Sequence, residues 1–175
     1  MKISQPGAHI DHMLRQTRMH NMQLSTMADM KASLLLTISS IVFGSSLARL
    51  TDSPHEPAFI ILAVACVLTV ILAIYATMPK AGPMPFFKKK ADIGQQGFTL
   101  LFFGDYAKLA YQDFEKRMED TMNDHSLTYQ EQVKEIYNTG AYLAKHKYHK
   151  LRLAYTAFLI GIVSAAALTA FKYLS

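Results

Sequence analysis

The stretch PAFIILAVACVLTVILAIYATMP, residues 57–79, decides the fold because 23 consecutive residues carry no charged side chain. A helix needs about 20 mostly apolar residues to cross a hydrocarbon core roughly 30 Å thick. Two more charge-free stretches, of 17 and 19 residues, lie at 32–48 and 153–171. The sequence therefore predicts an all-α membrane protein with three transmembrane helices, at 32–50, 57–79 and 152–171.

The basic residues predict how these spans are oriented. The chain of 175 residues has a formal net charge of +5, and all but two of its 18 lysines and arginines, Arg49 and Lys172, lie within 1–31 or 80–152. Because cytoplasmic loops are rich in Lys and Arg, the N-terminus and residues 80–151 are predicted to be cytoplasmic and the C-terminus periplasmic. Acidic residues offset most of the charge in 80–151, so no nucleic-acid partner is predicted.

Residues 1–31 are predicted to form a cytoplasmic amphipathic helix that continues into the first span, because apolar side chains recur at helical spacing from Ala8 to Met30. Five of the ten methionines lie between Met13 and Met30. They indicate either a surface that repacks against another helix during a switch or an ordinary helix–helix seam.

Residues 80–151, between the second and third spans, are predicted to form a small helical cytoplasmic unit. This region is too short for an enzyme domain of the usual size. Its FFKKK run at 86–90 predicts an anchor at the membrane interface, and the alternative is a role in holding a phosphate ligand.

Two helix starts are predicted within this region. Asp105 is expected to cap a helix that begins at Tyr106, and Thr128 with Glu131 forms the pattern of a capping box for the last helix. One stripe of apolar and small residues then runs through 129–155. The last cytoplasmic helix is therefore expected to continue directly into the third span.

Each predicted span has a face of small residues, which lets helix backbones approach closely in lipid. These are Ser33, Thr37, Ser40, Gly44 and Ala48 in the first span, Ala65, Thr69, Ala73 and Thr77 in the second, and Ala157, Gly161, Ala165 and Thr169 in the third. Either the three faces pack against one another within one chain, or one of them stays free and forms the interface of a homo-oligomer. Ser40, Gly44 and Gly161 are the candidate packing and gating positions.

The sequence contains no recognisable catalytic or metal-binding motif. Its single cysteine, Cys66, excludes a disulfide within the chain and a cysteine-based zinc site. Histidine pairs at 9 and 12 and at 146 and 149 lack carboxylate or cysteine ligands at suitable spacing, and lysines beside the second pair would repel a metal. The chain is therefore predicted not to be an enzyme and to hold no metal or cofactor.

Three stretches of the chain are distinctive enough to suggest a family. They are STMADMKASLLLTISS at 25–40, LFFGDYAKLAYQDFEKRM at 101–118 and IYNTGAYLAKHKYHKLRLAYTAFLIG at 136–161. Their motifs are Met27-Ala28-Asp29-x-Lys31-Ala32, Phe102-Phe103-Gly104 and Lys147-Tyr148-x-x-Leu151-Arg152-x-Ala154-Tyr155. In this order they resemble the transmembrane effectors of bacterial Pycsar anti-phage systems, and the resemblance covers about residues 24–165.

The resemblance implies an effector that is switched on by cyclic UMP or cyclic CMP, made by a partner cyclase when phage infects. The activated protein is then expected to impair the bacterial inner membrane and cause abortive infection. Its expected partners are the lipid bilayer, the cyclic pyrimidine nucleotide and further copies of itself. A different class of function remains as the alternative, a non-catalytic membrane scaffold or accessory subunit that recruits a cytoplasmic partner.

A cyclic mononucleotide needs a cation or amide donors for its phosphate and an aromatic or apolar face for its base. The candidate ligand-binding residues are Tyr106, Tyr137, Lys145, Lys147, Tyr148, Lys150 and Arg152. The alternative for each cation is a snorkelling or solvated charge, and for each tyrosine a packing role. Asp29 and Lys31 are candidate gating positions, where Asp29 either pairs with a Lys or Arg until activation or serves only as a helix cap and interface anchor.

Overall fold

The computed structural model describes residue 3, residues 6–78 and residues 98–174. Every element within them is helical: α1 (Ala8–Asp52), α2 (Pro57–Thr77), α3 (Phe103–Tyr106), α4 (Tyr111–Asn123), α5 (His125–Tyr142), a π-helix (Leu143–Tyr148) and α6 (His149–Leu174). Three helical stretches among these residues, 8–52, 57–77 and 125–174, are long and apolar enough to cross a membrane. The predicted all-α fold with three spans is confirmed. The FFKKK run at 86–90 lies outside the described residues.

The chain divides into two compact units, which we call the membrane unit and the polar unit. The membrane unit is Leu24–Met78 with Leu143–Ser175, and the polar unit is Met1–Gln23 with Pro79–Tyr142. The division of the chain into two compact units does not locate the surface of the membrane. The predicted boundaries of the cytoplasmic regions and of the spans therefore stay predictions.

Small side chains fill the interior of the membrane unit. One buried cluster is formed by Ala28, Ala32, Ala76 and Leu151, with Tyr148 packed against it. A second is formed by Leu35, Ala73 and Ala154, with Leu36, Leu72 and Phe158 around it. From the first cluster to the second, residue numbers rise in α1 and α6 and fall in α2. Within this unit α1 and α6 therefore run parallel, and α2 runs antiparallel to both.

The small-residue faces of the second and third spans pack against each other. Thr69 and Ala73 of α2 are fully buried, and Gly161 of α6 is buried as well. A Cβ atom at Gly161 would overlap the Cβ of Ala65. The absence of a side chain at Gly161 thus allows the close approach of the two backbones that small residues favour in lipid.

The small-residue face of the first span is exposed instead of packed. Ser33, Thr37, Ser40, Gly44 and Ala48 are all exposed. The hydroxyls of Thr37 and Ser40 donate to carbonyls four residues earlier, at 3.0 and 2.8 Å, so they are satisfied without a partner helix. A Cβ built at Gly44 would meet nothing within 4 Å. Within the membrane unit, this face of α1 is therefore left uncovered.

Polar side chains join α1 to α5 in the polar unit. The Tyr129 hydroxyl donates to the Asp11 carboxylate at 2.8 Å, and the Arg18 guanidinium lies 2.7 Å from the carboxylate of Glu135. The hydrogen bond to Asp11 and then burial raise the pKa of the Tyr129 phenol above its ordinary value. The fold therefore favours the neutral phenol.

The methionines of α1 are exposed and do not form a buried seam. The exposed fractions are 57% for Met13, 54% for Met19, 63% for Met22, 44% for Met27 and 55% for Met30. Of the two interpretations of these residues, the seam is wrong for the described part of the chain. A surface that contacts another helix after a change of state stays a prediction.

The predicted cap at Asp105 is wrong. Asp105 lies inside the short helix α3, and its carboxylate accepts a hydrogen bond from the Thr99 amide at 3.2 Å. The next helix, α4, begins at Tyr111 after Ala110, which makes no side-chain cap. The carboxylate therefore fixes the turn before α3. It does not cap a long helix.

The predicted capping box of α5 is also wrong, because the helix begins at His125 and its cap lies four residues before Thr128. Asp124 accepts a hydrogen bond from the Ser126 amide at 2.7 Å and so caps the helix. Thr128 lies within α5. Glu131 accepts a hydrogen bond from the amide of Leu100 at 3.1 Å. An aspartate placed just before the first turn satisfies free amides at the helix start, as capping residues generally do.

Candidate functional site

The membrane unit contains an ion pair that joins α1 to the π-helix. The Lys147 ammonium donates to both carboxylate oxygens of Asp29 at 2.7 Å and to the Ser25 hydroxyl at 2.9 Å. Ser25 and Asp29 are four residues apart on α1, so they present their oxygens on one helix face. The Lys147 side chain is 12% exposed and that of Asp29 45%. We call Ser25, Asp29 and Lys147 the Lys147 cluster.

The π-helix determines the direction in which Lys147 points. Leu143 and Leu151 are both buried although eight residues separate them. Eight residues exceed two turns of α-helix by about 0.8 residue, which offsets the two leucines by about 80° around a regular helix. The wider π turns at Leu143–Tyr148 absorb the extra residue, and they place Lys147 on the inner face midway between the leucines. The single stripe predicted through 129–155 is wrong, because its members Tyr137, Ala144 and Tyr155 are exposed.

Tyrosines hold the backbones around the Lys147 cluster. The Tyr148 hydroxyl donates to the carbonyl of Leu24 at 3.0 Å, and the Tyr155 hydroxyl donates to that of Lys31 at 3.3 Å. The first bond joins the π-helix to α1, and the second joins α6 to α1. The cluster is therefore a preorganised arrangement, in which one cation is shared by a carboxylate and a hydroxyl.

Lys150 contacts α2 on another side of the helix. Its ammonium lies 5.5 Å from the ring centroid of Tyr75 and 3.4 Å from the carbonyl of the same residue. A cation over an aromatic face is stabilised by the ring quadrupole. Lys150 and Lys147 therefore connect the same stretch of the chain to two different spans.

The motifs at 27–32 and 147–155, which lie far apart in sequence, thus meet in the membrane unit. A family model described as the Pycsar effector protein domain matches residues 12–173. The chain belongs to the Pycsar effector family. Membership implies an anti-phage effector role, a partner cyclase and a membrane context. No curated protein and no solved structure matches the chain.

The candidate ligand-binding residues of this Pycsar effector are divided between the two units. Tyr106 and Tyr137 belong to the polar unit, where the Tyr106 ring packs at a tilt against Phe114 with ring centroids 5.2 Å apart and Tyr137 is 73% exposed. The other candidates, Lys145, Lys147, Tyr148, Lys150 and Arg152, belong to the membrane unit. Lys145 and Arg152 are exposed there, whereas the other three make the contacts described above.

The candidate gating positions have different surroundings. Asp29 is bound by Lys147, and the side chain of Lys31 is exposed. Ser40 and Gly44 lie on the uncovered face of α1, whereas Gly161 is buried against Ala65. In the described ranges 6–78 and 98–174, no three His, Cys, Asp or Glu side chains are grouped closely enough to hold a metal ion.

Several residues of the Pycsar effector site were not predicted from the sequence. Ser25, Tyr75 and Tyr155 all contact a candidate residue. The four-residue spacing of Ser25 and Asp29 was the available signal for one of them, because it places both on one face of α1. Nothing in the pattern distinguishes Tyr75 from other aromatic residues near the end of a span.

Proposed function

We propose that this Pycsar effector is activated by cyclic UMP or cyclic CMP, made by its partner cyclase during infection. The activated form then impairs the inner membrane, so that the infected cell stops growing or dies before phage matures. The chain acts as a multi-pass inner-membrane protein with a cytoplasmic N-terminus and a periplasmic C-terminus. It catalyses no reaction and needs no metal or cofactor, and the nucleotide is its activating ligand.

The Lys147 cluster supports this proposal because it combines a cation with an exchangeable anion. Asp29 is 45% exposed, so a phosphate monoanion from solution can compete with its carboxylate for Lys147. The neighbouring Tyr148 offers an aromatic face for the base, and its hydroxyl holds the carbonyl of Leu24. Occupation of Lys147 by phosphate would break the bond between the π-helix and α1. The ligand activates only through its higher affinity for that opened arrangement.

Purified effector in dye-loaded vesicles tests the activation. We expect cyclic UMP or cyclic CMP to bind in titration calorimetry and to release the dye, whereas cyclic AMP does neither. Lys147→Gln should weaken binding by about tenfold or more, because a hydrogen-bonded charge is lost from the phosphate site. Lys116→Gln, an exposed lysine of α4, is the matched control and should bind as the wild type does.

The possible results separate the candidate functions. The absence of heat with either pyrimidine nucleotide would reject direct sensing. Binding without dye release would favour the alternative, a membrane scaffold that recruits a partner. The exposed methionines of α1 are the observation that favours a scaffold, since methionine-rich surfaces adapt to different partners.

We also propose that the effector forms homo-oligomers through the uncovered face of α1. The second and third spans cover their small-residue faces with each other, whereas Ser40 and Gly44 have no such cover within the membrane unit. Small residues allow close helix contact in lipid, where there is no hydrophobic driving force between helices. A second copy of α1 would supply the complementary face.

Gly44→Leu tests self-association without disturbing the single chain, because a Cβ at this position meets nothing within 4 Å. We expect self-association in vesicles, measured by single-molecule photobleaching, to weaken about tenfold. Val64→Leu, at an exposed position of α2, is the control and should leave it unchanged. Equal self-association of Gly44→Leu and the wild type would exclude this face as the interface.

A further inference from the structure

We propose that Lys31 and Arg152 form a binding site for the phosphate of an acidic phospholipid headgroup, in the groove where α1 meets α6. This site is separate from the Lys147 cluster and does not depend on activation by a nucleotide. Its occupant would be a lipid molecule that stabilises the contact between the first and third spans.

The charges at this end of the membrane unit favour an anion. Five basic residues, Lys31, Lys145, Lys147, Lys150 and Arg152, lie in the first turns of this unit with a single acid, Asp29. Lys147 already neutralises that acid, and Lys150 is held by Tyr75. Lys31 and Arg152 are exposed, and neither has an acidic partner among the residues that the structure describes.

The backbone geometry favours a common groove for these two cations. The hydrogen bond from Tyr155 to the carbonyl of Lys31 joins α6 to α1 at this level. Arg152 precedes Tyr155 by three residues and so lies on the same face of α6, one turn earlier. Helical side chains tilt toward the N-terminus of their helix. Because α1 and α6 run parallel in this unit, Lys31 and Arg152 both tilt toward the same end of it.

The depth of the site favours a lipid phosphate over a free one. Lys31 directly precedes the predicted span at 32–50, and Arg152 begins the predicted span at 152–171. Long basic side chains at such positions extend to the level of the headgroups. Basic pockets between spans bind acidic headgroups, and each Lys or Arg near an anionic surface contributes about 1 kcal/mol. Tyr155 adds an amphipathic ring of the kind enriched at the membrane interface.

The full chain in nanodiscs tests the site. One set contains phosphatidylcholine alone, and in the other about a quarter of it is replaced by phosphatidylglycerol. We expect native mass spectrometry to show retained phosphatidylglycerol, and its presence to raise the unfolding temperature. Lys31→Gln with Arg152→Gln should reduce the retention of phosphatidylglycerol about 30-fold, because two charges that contribute about 1 kcal/mol each are lost. Arg15→Gln with Lys116→Gln removes the same charge from exposed positions of the polar unit and should leave retention unchanged.

Two further experiments complete the test. One distinguishes the loss of charge from a loss of folding, and the other identifies the source of the phosphate. Lys31→Arg with Arg152→Lys keeps both charges and should keep the lipid. Inorganic phosphate and cyclic UMP in excess should not displace it from the wild type, and displacement by either would assign the site to a free phosphate. Unchanged retention in the double glutamine variant, or equal loss in the control, would overturn the proposal. If that double variant does not fold, Arg152→Gln alone decides, because this side chain is exposed.

Discussion

Asp29→Lys is expected to produce an effector that impairs the membrane without any nucleotide. The change places a second cation where Lys147 now has a carboxylate at 2.7 Å, so attraction becomes repulsion in the resting arrangement. A hydrogen bond to a charged group contributes about 2 kcal/mol, and the half-exposed position of Asp29 keeps the expected loss near that figure. A loss of about 2 kcal/mol shifts a two-state equilibrium roughly 30-fold toward the opened arrangement.

Membrane potential, followed with a fluorescent dye in cells that lack the cyclase, measures this effect. We expect depolarisation with Asp29→Lys and none with the wild type at equal protein levels. Asp52→Lys, the same charge change at the other end of α1, is the control and should leave the potential intact. Exchange of the two charges, Asp29→Lys with Lys147→Asp, should restore the resting state if the pair itself holds it.

The result that contradicts this role is specific. We compare the level, the unfolding temperature and the membrane potential of Asp29→Lys with those of the wild type. If all three are equal, the ion pair does not hold the resting state. Depolarisation with Asp52→Lys as well would indicate a general effect of added positive charge in α1. In either case Asp29 would be only a packing or anchoring residue, which is the alternative that its sequence position left open.

The spans were predictable because one strong physical effect determines them. A charged side chain in the hydrocarbon core is costly, so the charge-free stretches at 32–48, 57–79 and 153–171 indicate where helices cross. The regular spacing of small residues identified the faces of the second and third spans, which pack at Gly161 and Ala65. Helix starts were less predictable, because several nearby carboxylates and hydroxyls compete for the same free amides. At α5 Asp124 forms the cap, and Thr128 does not.

The candidate site was predictable as a set of residues but not as an arrangement. Asp29 and Lys147 both lie in motifs that resemble the family, yet their pairing depends on the π-helix at Leu143–Tyr148. The apolar stripe at the α-helical period includes Tyr137 and Ala144, which are exposed, and omits Leu143, which is buried. The separation of Leu143 and Leu151 by eight residues also fits a regular amphipathic helix, so the sequence does not reveal the π-helix.

Gly161→Leu is expected to destabilise the membrane unit strongly. Even a single Cβ at this position would overlap the Cβ of Ala65, which cannot move away because it is fixed to the backbone of α2. A leucine would therefore have to separate α2 from α6 along the face that holds Thr69 and Ala73. Overpacking in a well-packed interior costs about 1–3 kcal/mol, and a leucine against backbone belongs at the upper end of that range. The effector should accumulate at a much lower level and unfold at a lower temperature.

Gly44→Leu is the matched control, because it makes the same substitution in α1 where a Cβ would meet nothing within 4 Å. It should keep accumulation and the unfolding temperature much closer to those of the wild type than Gly161→Leu does, while it weakens self-association. Ala65→Gly removes the atom that Gly161→Leu would strike, so the double variant should recover part of the lost stability. Equal stability of Gly161→Leu and Gly44→Leu would mean that α2 and α6 are not held in contact at this point. The two glycines therefore separate packing within one chain from contact between chains, although both occur in the same kind of small-residue pattern.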